Sequence, residues 1–101
     1  MIIYNITTQV SWPAHEQWKK WMMDERLPEM IDTGIFSRYQ LVRVLEVDDS
    51  EGPMYAVQLY VNELSSISEY KEKYMQQMEH VEKKLWGSQI YSFSSLMEVI
   101  N

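Results

Sequence analysis

An α+β fold with the element order β-α-β-β-α-β is predicted by three features of this 101-residue chain. Two stretches carry apolar residues at helical spacing, and each follows a run of alternating apolar and polar residues. Two further strand-like runs flank an acidic segment that closes on Gly52-Pro53, the punctuation of a hairpin.

The first element spans residues 2 to 10, with Ile2, Tyr4, Ile6, Thr8 and Val10 on one side and Asn5, Thr7 and Gln9 on the other. That period of two is the pattern of a half-buried strand. A helix over residues 13 to 26 follows. Ser11 offers an N-cap hydroxyl, Pro13 stands where a missing N–H costs nothing, and Glu16 lies in the first turn, where the helix dipole favours an anion. At about 100° per residue Ala14, Trp18, Trp21 and Glu25 share one stripe, with Met22 at its edge. Leu27-Pro28 ends this helix or restarts it as a short second turn, and Gly34 supplies the permissive dihedrals for entering the next strand.

Residues 35 to 47 and 54 to 62 are the next two strands, joined by Asp48-Asp49-Ser50-Glu51-Gly52-Pro53. From Leu64 to Leu85 the pattern turns helical, with Ile67, Tyr70, Tyr74, Met78, Val81 and Leu85 on one stripe and Gly87 as the stop. The last strand, residues 89 to 99, sets Tyr91, Phe93, Met97 and Val99 against Ile90, Ser92, Ser94 and Leu96.

Right-handed crossovers fold this order into a four-stranded antiparallel sheet with two helices on one face, the ferredoxin-like arrangement, as one domain over residues 1–101. The helix-facing set is read as Tyr4, Ile6, Tyr39, Leu41, Leu45, Val57, Leu59, Val61, Tyr91 and Phe93. The opposite face then carries Ile3, Asn5, Thr7, Arg38, Gln40, Val42, Val44, Ala56, Gln58, Tyr60, Ile90, Ser92, Ser94 and Leu96. This second face is too apolar for a solvated surface and too polar for a core, so it is expected to meet a partner or a ligand. Two subunits packing these faces together would enclose a mixed lining, a dimeric α/β barrel.

Composition narrows the function classes. At 46% apolar residues the chain has a core and is not disordered, but a chain this short gains from burial against a second copy, so a homodimer is expected. The net charge of -6 has the wrong sign for a phosphate backbone, which argues against nucleic acid. No cysteine is present, which removes thiolate catalysis and cysteine-based zinc sites. No apolar run is long enough for a membrane span, and the N-terminal residues lack the basic region of a secretory signal; a cytoplasmic protein is expected.

The candidate catalytic residues are Glu25, which continues the tryptophan stripe into the space between helix and sheet, and its neighbour Arg26. Asn5, Arg38, Gln40, Gln58, Tyr60 and Ser92, with Thr7 and Ser94, are the candidate ligand-binding set, because one register places them all on the open face. Within it Arg38 would anchor an anion and Tyr60 donate a hydroxyl. His15 and His80 are far apart and lack further ligands, so no metal site is expected, and no cofactor is indicated. Trp18 and Trp21 read as packing residues, whereas Trp12 and Trp86, at element ends, could close a pocket or an interface.

The stretch Trp18-Lys19-Lys20-Trp21-Met22-Met23-Asp24-Glu25-Arg26-Leu27-Pro28-Glu29-Met30-Ile31-Asp32-Thr33-Gly34-Ile35-Phe36, after the opening Met1-Ile2-Ile3-Tyr4-Asn5, resembles an uncharacterised family of Bacteroidetes proteins of about this length, a domain of unknown function. The resemblance covers essentially the whole chain. It implies kinship with the dimeric α/β-barrel superfamily of small monooxygenases, decarboxylases and isomerases, and so a fold and a dimer rather than a reaction. Relatives tend to carry a histidine where Arg26 stands, and arginine can clamp an anion but cannot shuttle a proton at neutral pH. The leading expectation is a homodimeric small-molecule-binding or structural module. The alternative is a cofactor-free monooxygenase or isomerase acting on a small anionic or aromatic molecule, and a third is a subunit using its edge strand or acidic loop to contact a larger complex.

Overall fold

The computed structural model describes all residues, Met1–Asn101. The chain runs through β1 (Ile2–Val10) into a helical arm made of α1 (His15–Trp21), a π-helical turn (Met22–Arg26) and α2 (Leu27–Asp32). Then come β2 (Arg38–Arg43) and β3 (Met54–Val61). A second arm follows, of α3 (Leu64–Tyr70), another π-helical turn (Lys71–Met75) and α4 (Gln76–Trp86), before a short 3-10 turn leads into β4 (Ile90–Glu98). The strands form one antiparallel sheet in the order β2-β3-β1-β4. Both arms bury their apolar side against one face of it, where Trp18, Leu27, Met30, Ile67, Tyr70 and Met78 close over Tyr4, Val57, Leu59 and Val61. The ferredoxin-like order expected from the sequence is the observed one. No helix is long and apolar enough to cross a membrane.

The sheet register corrects one strand. Tyr4 pairs with Leu59 on one side and Leu96 on the other, and Ile6 with Val57 and Ser94. Ile90, Ser92, Ser94 and Leu96 therefore lie on the helix face, while Tyr91, Phe93 and Met97 point to the open face, the reverse of the sequence expectation. A slip of one residue exchanges the two faces of a strand. Composition misled here because β4 is an edge strand: its helix face meets a cleft lined by serines rather than a packed core, and its aromatics project outward, Tyr91 70% and Phe93 51% exposed.

Neither helical arm is a plain α-helix. Leu27-Pro28 does not end the first arm, because the Leu27 N–H reaches back to the carbonyl of Met22 in the wide turn and the chain passes the proline into α2. A π-turn holds one residue more than an α-turn and rotates everything beyond it around the axis. Arg26 and Leu27 thereby become the buried residues, and Glu25 is exposed rather than continuing the tryptophan stripe. In the second arm the same rotation leaves Leu85 exposed and turns Glu82 and Trp86 partly inward. Strand β2 is shorter than expected: Leu45 is 74% exposed and off the sheet, and Glu46 adopts a positive φ of 59° that turns the chain away.

Candidate functional site

Between the two arms and the β1–β4 half of the sheet lies a cleft of about 320 Å³. Tyr4, Ile6 and Thr8 of β1 with Ser92 and Ser94 of β4 make its floor; Trp18, Met22, Arg26 and Met30 of the first arm and Tyr70, Met75, Met78, Glu79, Glu82 and Lys83 of the second make its walls. The cleft exists because small serines occupy two helix-facing positions of the edge strand where a core would place aliphatic side chains. Both π-turns border it, one through Met22 and Arg26 and the other through Met75. Such turns concentrate at functional sites, since they re-aim side chains without ending the helix.

Arg26 holds the two arms together. Its side chain is only 7% exposed; Nη1 donates to Glu82 Oε2 at 2.8 Å and Nη2 to the Met78 carbonyl at 2.9 Å. The guanidinium also stands 4.6 Å from the centroid of the Trp21 ring, which meets Trp86 edge-on at 5.8 Å. Its charge is matched by Glu82, its planar group is stacked, and each of its two terminal amines donates one hydrogen bond. The buried indole N–H groups of Trp18 and Trp86 have no hydrogen-bond partner.

Besides Glu79 and Lys83 of the second arm, the cleft carries neutral hydroxyls. Tyr70 donates to the Met78 sulfur at 3.3 Å, and its ring lies 5.8 Å from that of Tyr4. Burial pushes the Tyr70 phenol well above its ordinary range, the neighbouring Tyr4 adds to the rise and the Arg26 guanidinium opposes it. Burial raises Tyr4 as well, offset in part by a hydrogen bond with Ser94. Both phenols stay protonated at physiological pH and are available as donors. Thr8 and Ser92 hydroxyls share a hydrogen bond of 2.8 Å.

The residues singled out from the sequence fall in three places. Arg26 lines the cleft, and Glu25 is on the surface of the same turn. Asn5, Gln58 and Gln40 form one cross-strand row on the open face, next to Arg38 and Tyr60, whose guanidinium and ring are 4.0 Å apart. Asn5 also donates to the Thr7 hydroxyl at 3.0 Å. Ser92 is separated from that set and belongs to the cleft floor. His15 lies 3.2 Å from the Tyr55 hydroxyl and His80 is exposed, while the Trp12 indole donates to the Asp49 carbonyl at 2.9 Å.

Tyr4, Tyr70, Met78 and Glu82 are cleft residues that sequence reasoning did not assign to a site, and Ser94 was assigned to the open-face set instead. Tyr4, Tyr70 and Met78 stood on apolar stripes and read as core, which by burial they are. Glu82 lay off the predicted stripe, and Ser94 was placed on the wrong face. The only sequence signal was the run of serines in a strand that otherwise alternates with aromatics.

Solved structures share this architecture at low identity. A Deinococcus radiodurans protein provisionally named as an antibiotic biosynthesis monooxygenase superposes with a TM-score of 0.72 at 10% identity, covering 100% of this chain and 94% of that one. A dimeric ferredoxin-like protein from an uncultured marine organism gives 0.70 at 10% identity, covering 100% and 96%. HapK from Hahella chejuensis gives 0.71 at 8% identity, covering 100% and 94%. At these identities the likeness is one of fold. No curated protein matches the sequence. The family model for a domain of unknown function, DUF4286, matches residues 1–100, and the chain belongs to that family.

Proposed function

We propose that this protein binds a small molecule in the cleft between its helical arms and its sheet, and that it does so as a homodimer joined through the open sheet face. The observation that carries the first part is the cleft itself: about 320 Å³, bordered by both π-turns, with methionine and aromatic walls and a few converging hydroxyls. That is the make-up and the lower size range of small-molecule sites. The dimer is supported by the exposed Tyr91, Phe93 and Met97 beside the polar row of Asn5, Gln40 and Gln58, and by neighbours described as dimeric ferredoxin-like proteins. The acidic balance and the lack of cysteine fit a cytoplasmic setting.

A second reading places chemistry in the same cleft, a cofactor-free oxygenase or isomerase reaction on the bound molecule. It is favoured by the partly buried Arg26–Glu82 pair beside two protonated phenols, a pre-arranged polar group.

Titration with the uncharged fluorophore N-phenyl-1-naphthylamine tests binding. Saturable enhancement at one site per chain is expected, and Ser94→Trp, which fills the floor of the cleft, is expected to abolish it while the thermal unfolding transition remains. Enhancement that never saturates, or that is unchanged in Ser94→Trp, would refute the cleft as the site. Sedimentation equilibrium tests the dimer: the native chain should sediment at twice the mass of one chain, and Phe93→Asp, which adds a charge to the centre of the exposed apolar patch, at the mass of one. A native chain that stays single at high micromolar concentration would rule the dimer out.

A further inference from the structure

Resting on the binding reading above, we infer that the cleft takes an uncharged, flat molecule with a carbonyl-type oxygen, and that this oxygen accepts the hydrogen bond Tyr70 otherwise gives to the Met78 sulfur. Three observations converge on this class.

The first concerns charge. The one buried cation of the cleft, Arg26, already has its amines on Glu82 Oε2 (2.8 Å) and the Met78 carbonyl (2.9 Å), with its face against Trp21. An anionic ligand on the guanidinium would stand beside Glu82, leaving two negative groups to share one positive group in a partly buried space. At the rim Lys83 is balanced by Glu79, so the four charged side chains that line the cleft cancel. The cleft therefore carries no net positive charge, and the chain as a whole, at -6, repels an anion.

The second concerns donors. The Tyr70 hydroxyl is buried and its recorded partner is a thioether sulfur, a weak acceptor. A carbonyl oxygen in the cleft is the better acceptor and would take the bond over. The Tyr4 phenol, its ring 5.8 Å away, stands beside it as the second donor.

The third concerns shape. A cleft between a sheet and the helices packed on it is a slot. Its lining combines the rings of Tyr4 in the floor and Tyr70 and Trp18 in the walls with the thioethers of Met22, Met75 and Met78. Aromatic faces favour stacked planar partners, and methionines adjust to them and make sulfur contacts at ring edges.

Three probes on one ring system separate the outcomes: 2-acetylnaphthalene, an uncharged ketone; 2-naphthoate, an anion; and 2-ethylnaphthalene, with no oxygen. Binding is read by isothermal titration calorimetry. The ketone is expected to bind about tenfold more tightly than either of the others, and Tyr70→Phe to lower ketone affinity by about five- to tenfold while leaving 2-ethylnaphthalene unchanged. Naphthoate binding tightest would overturn the class in favour of an anion site at Arg26. Equal affinity for the ketone and the ethyl compound, or a Tyr70→Phe chain that holds the ketone as well as the native one, would overturn the role of Tyr70. These results leave the binding reading standing. Binding of none of the three, together with no fluorophore response, removes that reading and this inference with it. The comparison of the three probes on the native chain decides the class even if the variant is poorly folded.

Discussion

The Gly52→Ala chain is expected to lose about 4 kcal/mol or more of stability, enough to abolish cooperative folding in a small domain. A Cβ at position 52 would sit 1.7 Å from the Val10 carbonyl oxygen, 2.6 Å from its carbon and 3.0 Å from the Ser11 Cα. These are backbone atoms with no freedom to withdraw. Val10 is fully buried, its N–H donates to the Pro53 carbonyl at 3.0 Å, and it pairs with Ile90 at the end of β4. Yielding at this point would therefore open the acidic loop and the Val10–Ile90 end of the β1–β4 ladder, the half of the sheet that floors the cleft. The φ of +154° at Gly52 adds backbone strain that a Cβ worsens. Gly34→Ala is the internal control: its φ is +78°, but nothing lies within 4 Å of the added Cβ, so the cost is confined to left-handed strain of about 1–2 kcal/mol. Urea unfolding followed by circular dichroism compares the two, and a Gly52→Ala chain no less stable than Gly34→Ala would refute the packing argument.

Gly52 also illustrates what a sequence conveys. Gly-Pro reads as a turn from residue type alone, because both residues restrict or extend local dihedrals, whereas the approach of Val10 is a contact between segments distant in sequence. The same division runs through the chain. Strand alternation in β1 and β3 and the stripe of Trp18, Ile67, Tyr70 and Met78 are local periodicities, and they were enough for the fold order. The two π-turns are not periodic signals. Each adds one residue to a turn, and only that addition moves Arg26 inward in place of Glu25 and turns Glu82 toward it, so the pair that ties the arms together leaves no periodic trace in the sequence. Strand β4 failed in another way. Its register is set by Ile90 opposite Val10 and Ile6 opposite Ser94, and its composition favours the wrong face because the edge of the sheet borders a cleft instead of a core. A hydrophobic pattern reports how a core is filled. It misreports a strand whose inward side is left unfilled.

Replacing Arg26 by methionine is expected to cost about 3 kcal/mol, lowering the midpoint of thermal unfolding by roughly 10 °C or more. The substitution keeps much of the volume, so the loss is one of pairing. Glu82 is left without its cation in a place where its side chain is 24% exposed, and the Met78 carbonyl loses a donor. If the ion pair is the cause, removing the stranded carboxylate should relieve most of the damage: Arg26→Met with Glu82→Leu is expected to recover more than half of the lost stability, because two apolar side chains can replace a partly buried pair with little net change. Full recovery is not expected, since the cation–π contact with Trp21 is lost in both variants. A double variant as unstable as the single one would mean that Arg26 stabilises the arms through Trp21 and the Met78 carbonyl rather than through Glu82. In that case the carboxylate would be held beside the guanidinium without stabilising it, and an anionic ligand could share Arg26 with Glu82 at little cost.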